Sequence, residues 1–164
     1  MQISRAIGLT VFGTAGTPKG LNLIEREGAH LSFDHSKPDY QDQIKKATAG
    51  KGVNLILEIL ANVNLGNDLK LLAQKGRVVV IGSRGDVTIT PRDLMSRRAS
   101  VRAFTVWGLT EAENAEIHAG ILAGLENCTL RPVVGSELPL KDAAQAHIDV
   151  MKPSGAFGKI VLIP

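Results

Sequence analysis

One cysteine, Cys128, is all that 164 residues contain, which excludes an internal disulfide framework and a thiolate cluster for structural zinc. Histidine is sparse as well, and His30, His35, His118 and His147 stand at no metal-ligand spacing. Structural zinc and zinc catalysis therefore lack support. No apolar run approaches the roughly 20 residues that cross a bilayer. The opening, MQISRAIGLTV, is broken by Ser4, Arg5 and Gly8 before an apolar signal segment can form, so a cytoplasmic location with no membrane partner is expected. Neither charge sign dominates: Lys plus Arg number 19 against 16 Asp plus Glu, a mild preference for anionic partners. Arg92, Arg97, Arg98 and Arg102 concentrate that charge locally, in a pattern that suits a solvated helix face and leaves nucleotide phosphate or RNA open. Repeats and low-complexity segments are absent.

What is present is the composition of a globular protein, 44% hydrophobic and 21% charged, long enough for one core or for a piece of something larger. Short apolar runs alternate with amphipathic stretches of helical period, the signature of a parallel sheet with crossover helices. GLTVFG reads as a strand. TPKGLNLIEREG follows as a helix with Thr17 as N-cap, Pro18 in its first turn and Gly28 as its stop. HLSFDH is a second strand, and DYQDQIKKATAGKG a helix capped by Asp39 and ended at Gly50. VNLILEIL and RVVVIG suit strands buried on both faces, with a helix over NLGNDLKLLAQKG between them. Further on come candidate strands VTIT and SVRAFTVWGL around a short PRDLMSRR helix, a helix over about residues 111–126, RPVVGSELPL, a helix from about 141 to 151, and a terminal strand GKIVLIP.

Doubly wound sheets bind ligands at the carboxyl ends of their strands, where loops and helix N-termini present backbone N–H groups. The loops to inspect are therefore GTAGTPKG, DHSKPD, LANVNLG and GSRGD. Gly13, Gly16 and Gly20 do not satisfy the Gly-x-Gly-x-x-Gly spacing of a pyrophosphate loop. The order of parts offers another reading. If MQISRAIG is the tail of the first helix, LTVFG is the second strand, whose end lies beside the adenosine ribose and carries an acid in NAD enzymes. Here Gly13, Thr14, Gly16 and Thr17 with Lys19 take that place, leaving room and positive charge for a 2′-phosphate. An ordinary capped strand-to-helix turn explains Thr17 and Pro18 equally well.

Taken together, GTAGTPKG, GAHLSFDH, EILANVNLGNDL, GRVVVIGSRG and ITPRDLM resemble the zeta-crystallin type of NADPH:quinone oxidoreductase, in the zinc-free branch of the medium-chain dehydrogenase/reductase superfamily. The resemblance runs from Gln2 to Ile163. It implies an α/β, Rossmann-like doubly wound parallel sheet, NADPH as cofactor, hydride transfer to a quinone substrate, a homo-oligomer and, in some members, binding of AU-rich RNA. Matched residue by residue, it implies adenosine and 2′-phosphate contacts at Gly16 and His35, each of which also fits a purely structural turn or strand end. Asn64 matches a ribose contact, with helix capping as its alternative. Ile81, Gly82, Ser83 and Arg84 match the nicotinamide-side loop, and Phe104, Thr105 and Val106 match a strand that presents backbone to the carboxamide, while also suiting sheet core. No catalytic nucleophile, acid–base pair or metal site is implied, which is compatible with a reaction whose hydride chemistry belongs to the cofactor.

The family pattern also has parts upstream that this sequence does not show: a catalytic domain, then the first strand and pyrophosphate loop. The sheet is accordingly expected to be incomplete at its N-terminal end, with residues 1–130 a truncated dinucleotide-binding domain and residues 131–164 a return segment that completes the GroES-like catalytic domain. The chain is expected to be a fragment, a shortened isoform or an incomplete gene model, weak in NADPH binding and poor in turnover. Two other readings stand beside it, an enal or enone reductase of the same superfamily and a non-enzymatic RNA-binding or subunit-contact module. SVRAFTVW is the strand expected to pair across a dimer.

Overall fold

A computed structural model describes residues 1–151 and 157–164; part of the expected return segment, residues 152–156, lies outside the described residues. The order of elements is α1 (Gln2–Ala6), β1 (Phe12–Ala15), α2 (Pro18–Arg26), β2 (Leu31–Asp34), α3 (Tyr40–Ala47), β3 (Val53–Glu58), α4 (Ala61–Leu71), β4 (Leu72–Val80), α5 (Pro91–Arg97), β5 (Ser100–Ala103), α6 (Glu111–Glu126), β6 (Val134–Pro139), α7 (Ala143–Met151) and β7 (Lys159–Ile163). All strand pairs among them are parallel, in three ladders ordered β1-β2, β3-β4-β5 and β6-β7. This is the α/β architecture expected. Among the described residues, β4 alone pairs along both edges.

The chain forms two compact units, one of residues 1–40 with 115–164, the other of residues 41–114. In the first, Phe12 pairs in register with Leu31 and Thr14 with Phe33. Phe12 and Phe33 meet edge to face at 5.5 Å, beside buried Val11. Helix α2 begins where the local signals place it: the Thr17 hydroxyl accepts from the Gly20 N–H at 3.1 Å, and Pro18 opens the first turn. It ends at Arg26, with Gly28 two residues on at φ +113°.

The second unit is built around α4. Ala61, Leu65 and Leu69 recur at helical spacing and bury against Leu72 and Val78, with Ile56, Val80, Leu94 and Val101 packed around them. Leu69 and Val78 are 0% exposed.

Several boundaries differ from the sequence expectation. β1 runs from Phe12 to Ala15 rather than over residues 8–13, because the cross-links to β2 start late: His30 donates its N–H to the Val11 carbonyl and takes the Val11 N–H on Nδ1. α4 occupies residues 61–71, not 64–76, and Gln74, Lys75 and Gly76 belong to β4. Burial of Leu72 and Ala73 and pairing of Leu72 with Val53 override the helix preference of that stretch. Residues 87–90, expected as a strand, form none; Ile89 packs on the α4 core and Thr90 occupies the N-cap position of α5. The strand expected over residues 100–109 ends at Ala103, followed by a short 3-10 turn, Val106–Gly108.

Candidate functional site

In the second unit, the carboxyl ends of β3 and β4 bring two of the expected motifs together. Glu58 is the last residue of β3. Its carbonyl accepts the Ile81 N–H at 2.7 Å and the Gly82 N–H at 3.3 Å, while Ala61 donates its N–H to the Gly82 carbonyl at 3.0 Å. Backbone approaches backbone so closely that a Cβ on Gly82 would lie 2.6 Å from the Ile59 carbonyl oxygen; only glycine fits without displacement. A second tie runs from the Arg84 N–H to Asn62 Oδ1 at 3.0 Å, and Ser83 Oγ donates to the Gly85 carbonyl at 2.9 Å. Residues 81–84 are thus held against the first turn of α4.

Asn64 sits in that turn. α4 begins at Ala61 with Leu60 at its N-cap position, so the capping role considered for Asn64 does not apply. Its Nδ2 instead donates to Glu58 Oε1 at 3.2 Å, an oxygen that also accepts the Leu60 N–H at 2.5 Å. The Asn64 Oδ1 is left as an acceptor suited to a hydroxyl. Behind Glu58 lies Asp68. Both carboxyls are buried, 6% and 7% exposed, and Asp68 Oδ2 has no hydrogen-bond partner among the described residues. Burial first, then the hydrogen bond and like charge of Glu58, push the Asp68 carboxyl up to about 8. At neutral pH it holds its proton.

Phe104, Thr105 and Val106 follow the carboxyl end of β5 rather than lying in it. Phe104 and Val106 are exposed, so the sheet-core alternative fails for them, and the Thr105 hydroxyl accepts from the Trp107 N–H. Trp107 is 92% exposed.

In the first unit, the β1-β2 ladder places Gly16 and His35 one residue beyond the paired Ala15 and Asp34, and the His35 N–H donates to the Ala15 carbonyl at 3.1 Å. A Cβ on Gly16 would stand 2.8 Å from His35 Nε2. The glycine therefore lets the imidazole lie over the loop. Asp34 ends β2 beside this loop, and it is engaged: the Ser36 hydroxyl and N–H both donate to Oδ1, holding its carboxyl below the usual range. Lys19, expected near a 2′-phosphate, has its ammonium 4.0 Å from the centre of the Phe157 ring.

Of the four clustered arginines, Arg97 is structural. Its guanidinium donates to the carbonyls of Leu72, Lys70 and Asp93 at 2.9, 3.2 and 3.3 Å. RNA binding gains no support from this geometry. No group of three or more His, Cys, Asp and Glu side chains among the described residues is arranged to hold a metal, and no described helix is long and apolar enough to cross a membrane.

Glu58, Asp68 and Asn62 were not among the residues singled out from sequence. The signal was there in part, since Asp68 shares a helical face with Ala61, Asn64 and Leu65 in the middle of an apolar stripe.

This geometry belongs to a known class of protein. The model of the zinc-binding dehydrogenase family matches residues 1–119, and the chain belongs to that family. Within it, the resemblance to the zeta-crystallin type holds along the sequence: the chain is 47% identical over 162 residues to the quinone oxidoreductase of Sus scrofa, 99% of this chain and 49% of that protein. It therefore spans about half the length of the curated relatives it matches. Among solved structures, an NAD-dependent alcohol dehydrogenase superposes with a TM-score of 0.89 at 28% identity, covering 99% of this chain and 46% of the other. A quinone oxidoreductase of Pseudomonas syringae gives 0.85 at 25% identity, with 99% and 51% covered.

Proposed function

We propose that this chain supplies the cofactor-binding half of an NADPH-dependent quinone reductase. The observation that carries the reading is the loop cluster at the carboxyl ends of β3 and β4, where Asn64 and residues 81–84 are locked side by side, the place where doubly wound sheets bind nucleotides. The residues fit the cofactor. Asn64 Oδ1 would accept from a ribose hydroxyl, the 81–84 loop would border the nicotinamide side, and the backbone following β5 at Phe104, Thr105 and Val106 would meet the carboxamide. In the other unit, Gly16 and His35 would border the adenosine, with Asp34, whose Oδ1 is tied to Ser36, the acid beside them.

When bound, the cofactor supplies a hydride to the quinone; the chain's own residues orient it and exclude water. Residues 1–130 act as the cofactor domain and residues 131–164 as the return segment to a catalytic domain. A cytoplasmic homo-oligomer fits the same reading, with β5 and the exposed Phe104, Val106 and Trp107 as its contact.

The test is a fluorescence titration with NADPH and with NADH, followed by quinone-dependent NADPH oxidation. NADPH is expected to bind at least tenfold more tightly than NADH. Because the chain spans half of its relatives, residues 1–164 alone are expected to bind weakly and turn over little quinone. A preference for NADH would overturn the cofactor assignment, and brisk turnover by residues 1–164 alone would overturn their dependence on further protein.

A further inference from the structure

We propose that Glu58, backed by Asp68, is the positioning residue of the cofactor cleft, holding the Asn64 amide and the 81–84 loop in fixed relation to each other. This rests on the reading of that cleft as the nicotinamide-side site. Four bonds converge on the one residue. The side-chain Oε1 takes the Leu60 N–H and Asn64 Nδ2, and the main-chain carbonyl takes the N–H groups of Ile81 and Gly82. Without that contact the Asn64 amide is free to turn; donation to Glu58 fixes which end of the amide is left as the acceptor. Asp68 closes the back of the carboxylate. Burial and the neighbouring Glu58 carboxyl hold the proton on Asp68, which leaves its hydroxyl to donate a hydrogen bond to Glu58. A buried pair with an unpartnered Asp68 oxygen costs stability, and apolar residues of the same shape would serve packing alone. Glu58 touches no reacting atom and acts through Asn64.

The experiment uses residues 1–164 and two readouts. The first is the nitrogen-15 spectrum without cofactor, at the Leu60 amide and the Asn64 side-chain amide. The second is NADPH affinity from the same spectra at millimolar cofactor. Glu58→Met, which keeps volume and removes the acceptor, is expected to shift both resonances and weaken NADPH tenfold or more, while Glu58→Gln returns the resonances toward the parent positions and the affinity to within threefold of the parent. Glu58→Met combined with Asn64→Ala should bind no more weakly than either single variant, because both act through one contact. Additive losses, or a Glu58→Met spectrum with Asn64 unmoved, would overturn the proposal. Should Glu58→Met fail to fold, the parent decides: slow hydrogen exchange at Leu60 N–H and Asn64 Nδ2 is expected, and exchange at the rate of free amides overturns it. If instead Asn64→Ala leaves NADPH affinity untouched, the functional reading fails, and the resonances still report whether Glu58 holds Asn64.

Discussion

The two ends of the β3-β4 ladder use polar side chains in opposite ways. At the amino end, where α3, α4 and α5 terminate, a cavity of about 470 Å³ is lined by Lys45, Lys51, Lys70, Gln74, Ser96 and Arg97. Arg97 is spent on the carbonyls of Lys70 and Leu72 at the end of α4, and Lys45 pairs with Asp42. At the carboxyl end two acids, Glu58 and Asp68, are buried, and Glu58 takes the Leu60 N–H and the Asn64 amide at the start of α4. One end satisfies its own backbone; the other holds groups with capacity to spare. The difference separates a structural cluster from a binding one more sharply than charge alone, since the basic end is the one that composition makes conspicuous.

Substitutions should break the two ends in different observables. The largest effect is expected from Gly82→Ala, whose methyl meets the Ile59 carbonyl oxygen at 2.6 Å and must push the two loops apart. NADPH affinity should fall by tenfold or more, with about 2 kcal/mol of stability lost in urea unfolding. Arg97→Ala, at the other end, should cost about 2 kcal/mol by leaving carbonyls without their charged donor, and leave NADPH affinity within threefold. Equal losses of affinity in both variants would erase the distinction.

The buried pair adds a pH dependence to the carboxyl end. Asp68 keeps its proton up to about pH 8 in the folded state and only up to its ordinary value of 3.8 when unfolded. The folded chain therefore carries the extra proton between those values, and stability should fall as pH rises from about 4 to 8, by at most about 1.4 kcal/mol per unit. Urea melts at pH 5, 6.5 and 8 on the parent and on Asp68→Asn check this. The parent should lose stability across the series, and the variant should lose that slope. Smallest is Thr17→Ala, which removes the α2 cap and should cost about 1 kcal/mol in thermal unfolding.

Features decided within a few residues were legible in the sequence. Thr17, Pro18 and Gly28 bound α2 by local backbone chemistry, and the apolar runs of β3 and β4 announced parallel strands. Features decided by pairing were not. Lys75 and Gly76 favour ending a helix when read alone, yet the chain has already turned extended at Leu72, which is buried and paired with Val53. VTIT alternates like a strand, but β4 already has β3 and β5 as its two neighbours. The site shows the same division. Gly82 and Asn64 were visible as motif positions, whereas the role of Glu58 depends on two loops arriving from residues 60 and 81, which no local spacing encodes.

The most direct test is a map of amide shifts on adding NADPH to residues 1–164. Shifts are expected at Leu60, Asn64, Ile81, Gly82 and Arg84, with Gly52, Lys70, Gln74 and Arg97 unmoved. Shifts confined to the basic end, with Asn64 and Gly82 unchanged, would contradict the assignment of the carboxyl end as the cofactor site.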